Sequence, residues 1–321
     1  MSNVEAGYDA IDDKLTAVIL NDHGTSVAGV IAATVNNNEG VAGIAPNCKI
    51  VPISVRLNNA NFWADATRAF DFALAEGIDI INCSWNAPIG LDCLDDAIYR
   101  AHDNGRGGKE CIITVSTGNE SASNIGYPAN LSTCIAVGAT NAMGMRWESS
   151  NYGHLDITAP GTSIYTPRIC FSEPHWSYEY AYLYGTSMSA PIVAGVAALV
   201  LSVNPNLSNE EVKKILCSTA TRNSNYTFSY NDRHNLSPWN QEIGYGIVNA
   251  KRAVLETLPA DTHVSGTHSG PITGFKIDVK DATFSSNSTL TAGQSIVLTS
   301  NVILESGADF TMQLDPTITH Q

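Results

Sequence analysis

Residues 185–203 read GTSMSAPIVAGVAALVLSV. From Ser187 onward every face of a helix drawn through this stretch is apolar or small, and a helix without a polar face belongs in a core. Pro191 is allowed near its start because the first N–H groups of a helix have no intrahelical partner. The rest of the chain supplies layers to bury it. Residues 48–56 (CKIVPISVR), 77–85 (GIDIINCSW), 111–118 (CIITVSTG) and 134–140 (CIAVGAT) are short, nearly all-apolar runs that predict strands. Residues 61–76 and 92–104 predict helices between them, and 209–220 a surface helix whose Glu210 and Glu211 suit the dipole of a first turn. Apolar strands alternating with helices specify an α/β fold: a doubly wound, mostly parallel sheet with helices on both faces.

Bulk properties narrow the function classes. The 321 residues are 44 % hydrophobic and 15 % charged, enough for one large domain and a small appendage. A net charge of −14 argues against nucleic acid or an anionic membrane as partner. No uninterrupted run of 18 apolar residues predicts a transmembrane segment. The acidic N-terminal stretch MSNVEAGYDAIDDK lacks an apolar core and is not a signal peptide. Seven cysteines occur without a C-x-x-C pair, which argues against a zinc cluster. Cys111 and Cys134 each open a predicted strand; they form either a disulfide or two small buried core residues.

The composition changes after Ala250. We expect a main domain over 1–258, a Gly/Pro/Ser/Thr-rich linker over 259–274 (PADTHVSGTHSGPITG), and a small all-β accessory or sorting module over 275–321. The last part carries a faint fourteen-residue repeat. Leu290, Gly293, Ile296 and Leu298 correspond to Leu304, Gly307, Phe310 and Met312, as a small β-stack or solenoid turn would require.

Two segments carry chemistry. In 21–33 (NDHGTSVAGVIAA) a histidine opens a small-residue helix, and in 185–199 a serine opens the buried one. Alone, His23 is an ordinary cap or surface residue and Ser187 an ordinary N-cap. Together they meet a need: a serine hydroxyl becomes a nucleophile when a base removes its proton, and a helix N-terminus aims free N–H groups at the oxygen under attack.

NDHGTSVAG and GTSMSAP resemble the His and Ser signatures of the subtilisin-like serine proteases, in the family's order. Gly118-Asn119 resembles a third signature, and the similarity continues from residue 21 to 250 through GVAGIAP, INCSW, APG and GYGIVNA. The resemblance implies an endopeptidase working through an acyl-enzyme, with Ser187 as nucleophile, His23 as general base and Asn119 as oxyanion donor beside the Ser187 N–H. It implies that Ser84, Trp85 and Asn86 line the pocket for the substrate's P1 side chain, with Gly118 and Gly126 as opposing wall and floor. A glycine floor would leave depth for a large P1 side chain, apolar or basic; Glu120 beside it either favours a basic one through its charge or is a solvated rim. Protein or peptide substrates, a monomer, and a secreted or cell-surface location follow from the same resemblance. No cofactor is required for the chemistry. Many relatives carry a calcium-binding loop at the place of 34–41 (TVNNNEGV), while the residues themselves read more plainly as a polar turn.

One signature is missing. The family's catalytic Asp ends a strand of the form V-x-V-x-D-[ST]-G, and the 22 residues before His23 contain none. Asp9, Asp12, Asp13 and Asp22 are unsuited, the last because a sequence neighbour cannot reach the far ring nitrogen. The simplest expectation is that Met1 is an internal position of a longer protein, whose first strand and triad Asp are cut away together. The alternative is a catalytically impaired protease acting as a binding protein.

Overall fold

The computed structural model describes residues 3–57, 59–172, 175–229, 238–259, 262–300, 302–304 and 310–314. They form two units, Met1–Thr257 and Leu258–Gln321. The first contains β1 (Tyr8–Asp9), α1 (His23–Ala32), β2 (Ile53–Ser54), α2 (Phe62–Ala75), β3 (Ile80–Cys83), α3 (Asp92–Gly108), β4 (Ile112–Ser116), β5 (Ile135–Thr140) and β6 (Ile157–Pro160). A hairpin of β7 (Ile164–Ser172) and β8 (His175–Leu183) leads into α4 (Thr186–Val203), α5 (Asn209–Ser218) and α6 (Ala250–Thr257).

Alternation along the strands sets the layers. Ile113 and Val115 of β4 and Ala136 of β5 join an apolar cluster with Phe62, Phe70, Leu94 and Ile98 of α2 and α3. Their neighbours Ile112, Ile135 and Val137 face the other way, into a cluster with Val193, Val196 and Val200 of α4 and Leu216 of α5. Both faces of the sheet are therefore apolar and covered, as a parallel sheet requires. The order β3-β4-β5-β6 is parallel throughout. Among the described residues α4 alone is long and apolar enough to cross a bilayer, and here it is mostly buried core.

The sheet comes in two pieces. The strand expected over 48–56 is confined to Ile53–Ser54, which pairs in parallel with β1. Pro52 has no N–H to extend the ladder; its carbonyl accepts from the Tyr8 N–H at 2.9 Å. The far edge of β2 does not pair with β3. A cavity of about 150 Å³ separates them, with Val51, Ile53 and Val55 on one side and Ile78, Ile81 and Cys83 on the other. The outer piece is tied down by charge instead. Arg56 donates to both oxygens of the buried Asp65 carboxylate (2.7 and 2.9 Å), and Arg68 bridges Asp65 at 2.7 Å and the Ala10 carbonyl at 2.7 Å. Burial pushes the Asp65 carboxyl up, but the two guanidiniums outweigh it and hold the group below its usual value near 3.8.

Pro191 is the sixth residue of α4, so its missing N–H does matter: it would have bonded to the Ser187 carbonyl. That carbonyl accepts from the Ser84 hydroxyl at 2.8 Å. Helical backbone in α3 gives way at Gly105–Gly107, where Arg106 takes φ +54° and donates to the carbonyls of Leu207 (2.7 Å) and Pro205 (2.9 Å). No disulfide joins Cys111 to Cys134. The Cys111 thiol turns toward β3 and donates to the Ile78 carbonyl at 3.3 Å, while Cys134 packs in the α2–α3 cluster.

The second unit contains β9 (Thr262–Ser300), β10 (Ile303–Leu304) and β11 (Phe310–Leu314), paired in parallel in the order β10-β9-β11. Extended backbone begins at Thr262, inside the stretch expected as linker, whose Val264, Ile272 and Thr273 are β-branched. Its core holds Ile277, Val279, Ala282, Phe284, Leu290 and Ala292. Met312 lies beside Leu290 and not beside Leu298, so the fourteen-residue repeat does not set the register. Gly307 lies outside the described residues.

Candidate active site

α1 is held along one face by three consecutive residues of β7. Thr166 donates its hydroxyl to the Ser26 carbonyl at 2.7 Å, and the Arg168 guanidinium donates to the Asp22 carboxylate at 2.6 Å. Between them Pro167 lies so close to Gly29 that a Cβ there would fall 2.4 Å from its ring. The helix then begins at His23, whose backbone N–H is satisfied by the Asn21 side chain at 3.0 Å.

The His23 ring is half-buried. Burial pushes its pKa below the ordinary 6.5, with the Asp22 charge acting the other way, so the imidazole is neutral at pH 7. It has no hydrogen-bond partner among the described residues. The four nearby aspartates are engaged elsewhere. Asp22 is on Arg168; Asp9 accepts the Ile11 N–H at 3.0 Å; Asp12 pairs with Lys14 at 3.0 Å; Asp13 accepts from the Tyr8 hydroxyl at 2.8 Å.

Ser187 is the second residue of α4, following Gly185 at φ +134°, a conformation reserved for glycine. A Cβ on Gly185 would meet the Ser187 Oγ at 3.2 Å and the Asn119 amide at 3.5 Å (Nδ2) and 3.6 Å (Oδ1), so the hydroxyl and the amide lie around the same point. Thr186 orients the asparagine: its N–H and its hydroxyl each donate to Asn119 Oδ1 at 2.9 Å. The backbone donor fixes which amide atom is oxygen and leaves Nδ2 as the free donor beside Ser187. The Thr186 hydroxyl also accepts the Gly118 N–H at 3.2 Å. His23, Asn119 and Ser187 line one cleft of about 1120 Å³, together with Ser84, Trp85 and Asn86. This cleft shares Val51, Ile53, Val55, Asn82 and Trp85 with the cavity between β2 and β3.

The residues expected around P1 divide by task. The Ser84 hydroxyl serves the Ser187 carbonyl. Trp85 turns its ring edge-on to Phe62 at 5.0 Å, against the core. Asn86 stands between Gly126 and Gly118, where open depth was expected. Glu120 is turned onto its own loop: one carboxylate oxygen accepts the Asn119 N–H at 2.9 Å and the Asn151 amide at 2.7 Å.

Residues 34–41 form an asparagine turn, with Asn36 and Asn38 both at φ +59° and the Asn37 side chain accepting the Glu39 N–H at 3.2 Å. Glu39 is the loop's one carboxylate, a thin donor set against the 6–8 oxygens a calcium ion takes.

Three residues important to this geometry escape sequence reasoning. Thr186 sits inside the serine motif, where its threonine could have been read as an orienting group. Asn151 organises the loop before the cleft, accepting the N–H groups of Glu120 (3.0 Å) and Ala122 (2.9 Å) and donating to the Thr117 carbonyl at 3.0 Å. Arg168 reaches a partner 146 residues earlier, which no local pattern signals.

Comparison with known proteins agrees with this architecture. The chain is 37 % identical over 207 residues to subtilisin DY of Bacillus licheniformis, covering 63 % of this chain and 71 % of that one. It is 35 % identical over 222 residues to the thermophilic serine proteinase of Bacillus sp. strain AK1, covering 67 % of this chain but 51 % of the relative's length. Among solved structures, a protease from Pseudoalteromonas arctica PAMC 21717 superposes with a TM-score of 0.65 at 29 % identity, over 80 % of this chain and 85 % of that one. The prenylagaramide maturation protease PagA superposes with a TM-score of 0.58 at 28 % identity, over 74 % and 82 %. The sequence profile of the subtilase family matches residues 1–246, and the chain belongs to that family.

Proposed function

We propose that the chain is the catalytic part of a serine endopeptidase that cleaves protein or peptide substrates through an acyl-enzyme. Ser187 attacks the scissile carbonyl. His23 takes its proton and returns it to the leaving amine. Asn119 Nδ2 and the Ser187 N–H at the start of α4 hold the oxyanion. The observation that carries this reading is the Thr186–Asn119 pair of hydrogen bonds, which occupies Oδ1, leaves Nδ2 free to donate and holds the amide beside Ser187 in the cleft that His23 also lines. Such an enzyme would work outside the cell, as the family resemblance implies.

The third group of the triad, a carboxylate on the far His23 nitrogen, would arrive on an extended segment from outside the described residues. The gap between β2 and β3 supports this reading. Among the described residues β2 and β3 each lack a strand partner on the side that faces it, the side chains around it are apolar except Asn82, and it opens into the cleft that His23 lines. The unpartnered His23 ring favours a second reading, a family member that binds peptides without cleaving them.

A fluorophosphonate probe separates the two. The first reading expects covalent labelling of the chain at Ser187, lost in Ser187→Ala. Absence of labelling, or labelling that survives Ser187→Ala, refutes it.

A further inference from the structure

We infer that Asn86 sets the depth of the P1 pocket and restricts it to small side chains: glycine, alanine or serine. This rests on the peptide-binding role proposed for the cleft and names its substrate class.

The two sides of the pocket are pinned together just beyond Asn86. Ala87 and Tyr127 exchange backbone hydrogen bonds, with the Ala87 N–H donating at 2.8 Å and the Tyr127 N–H at 3.3 Å. One residue earlier in each segment, Asn86 faces Gly126. A Cβ on Gly126 would lie 2.9 Å from the Asn86 Cβ and 3.3 Å from its Cγ, so the side chain already fills the space above that glycine. Its far end reaches Gly118, where a Cβ would lie 2.9 Å from the Asn86 Nδ2. The asparagine thus extends from the Gly126 side to the Gly118 side, across the volume that the two glycines would otherwise leave to a substrate.

The remaining neighbours do not restore that room. The Glu120 carboxylate and the Asn151 amide crowd the same face of Gly118, at 2.5 and 2.3 Å from that added Cβ, and are hydrogen-bonded to each other. Ser84 and Trp85 are committed to the Ser187 carbonyl and to Phe62. Asn86 alone among the three edge residues projects a side chain into the space between the glycines. A phenylalanine ring would have to displace it, whereas a methyl group fits beside it.

The test uses binding, so that it does not depend on turnover. On the full chain carrying Ser187→Ala, dissociation constants are measured by fluorescence anisotropy for labelled peptides identical except for a C-terminal Ala or Phe. The Ala peptide is expected to bind tighter by at least about tenfold, the scale on which a pocket discriminates side-chain bulk. Adding Asn86→Gly should reverse the order by deepening the pocket. Equal or tighter binding of the Phe peptide, an order unmoved by Asn86→Gly, or binding of neither peptide overturns the inference. Fluorophosphonate labelling of the parent chain reports separately on Ser187, so a failure there is distinguishable from a failure here.

Discussion

The hydroxyl of Ser84 donates to the backbone carbonyl of Ser187 at 2.8 Å, in the place of the helical N–H that Pro191 lacks. A residue that lines the cleft therefore completes the first turn of the helix that carries Ser187. Ser84→Ala should leave a carbonyl without its donor and cost about 1–3 kcal/mol. Pro191→Ala restores an N–H at the helical position, so the Ser84→Ala loss should shrink in that background. Urea melts of the four proteins of this cycle check it, and a loss unchanged by Pro191→Ala would place the hydroxyl's role elsewhere.

The titration of His23 should carry the mark of its burial. Its pKa is lowered below 6.5, so the imidazole is the neutral base above that lowered value and is protonated below it. The fluorophosphonate labelling rate should rise with pH to a plateau, with a midpoint below 6.5. The unfolded chain binds this proton more readily, so the same group should lower stability as pH falls below 6.5. Arg168→Ala should move the His23 midpoint upward, because the Asp22 charge loses its 2.6 Å partner. NMR of the His23 ring reads both shifts, and a midpoint above 6.5 in the parent chain contradicts the burial argument.

Asn119 and Thr186 should separate in their effects. Loss of a subtilisin's oxyanion asparagine costs about 10²–10³ in kcat, and Asn119→Ala is expected to fall in that range. Thr186→Val keeps the backbone N–H on Asn119 Oδ1 and loses the two hydroxyl bonds, so its effect should be smaller. Single-turnover rates on an ester substrate compare them; a larger loss in Thr186→Val would mean that the loop, and not the amide, is the sensitive part.

Asp65 should matter to the fold and not to the chemistry. Asp65→Asn leaves two half-exposed guanidiniums without their shared carboxylate and should destabilise the first unit by about 1.5–3 kcal/mol. Because the folded carboxyl is held below 3.8, its contribution is present above that value and is lost as pH falls through the lowered one. Acid unfolding followed by circular dichroism should show this component in the parent chain and not in Asp65→Asn.

Much of this was legible from local chemistry. The strands at Ile112–Ser116 and Ile135–Thr140 are apolar on both faces, and α4 is apolar all round; such patterns leave few arrangements. The cleft gathers His23, Asn119 and Ser187; the histidine and serine stand out at the starts of small-residue helices, while Asn119 stands out only through the resemblance to a family signature. What stayed hidden depends on distance in sequence. Whether 48–56 extends as a strand depends on a neighbour along its second edge, which its own residues do not specify. Asn86 reads as an ordinary edge residue until Gly126 and Gly118 are brought against it. The second unit's register is set by which residues stack, and Met312 chose Leu290 over the repeat.

The grip of Thr166, Pro167 and Arg168 on α1 has a bearing on engineering. The histidine and serine motifs are portable as text, but one face of the helix that opens at His23 is held by a hairpin that belongs to neither. A chimera that received both motifs while keeping a foreign hairpin would inherit the reagents without their mount. Conversely, substitutions in Thr166, Pro167 and Arg168 offer a way to tune the setting of His23 while leaving His23, Asn119 and Ser187 themselves untouched.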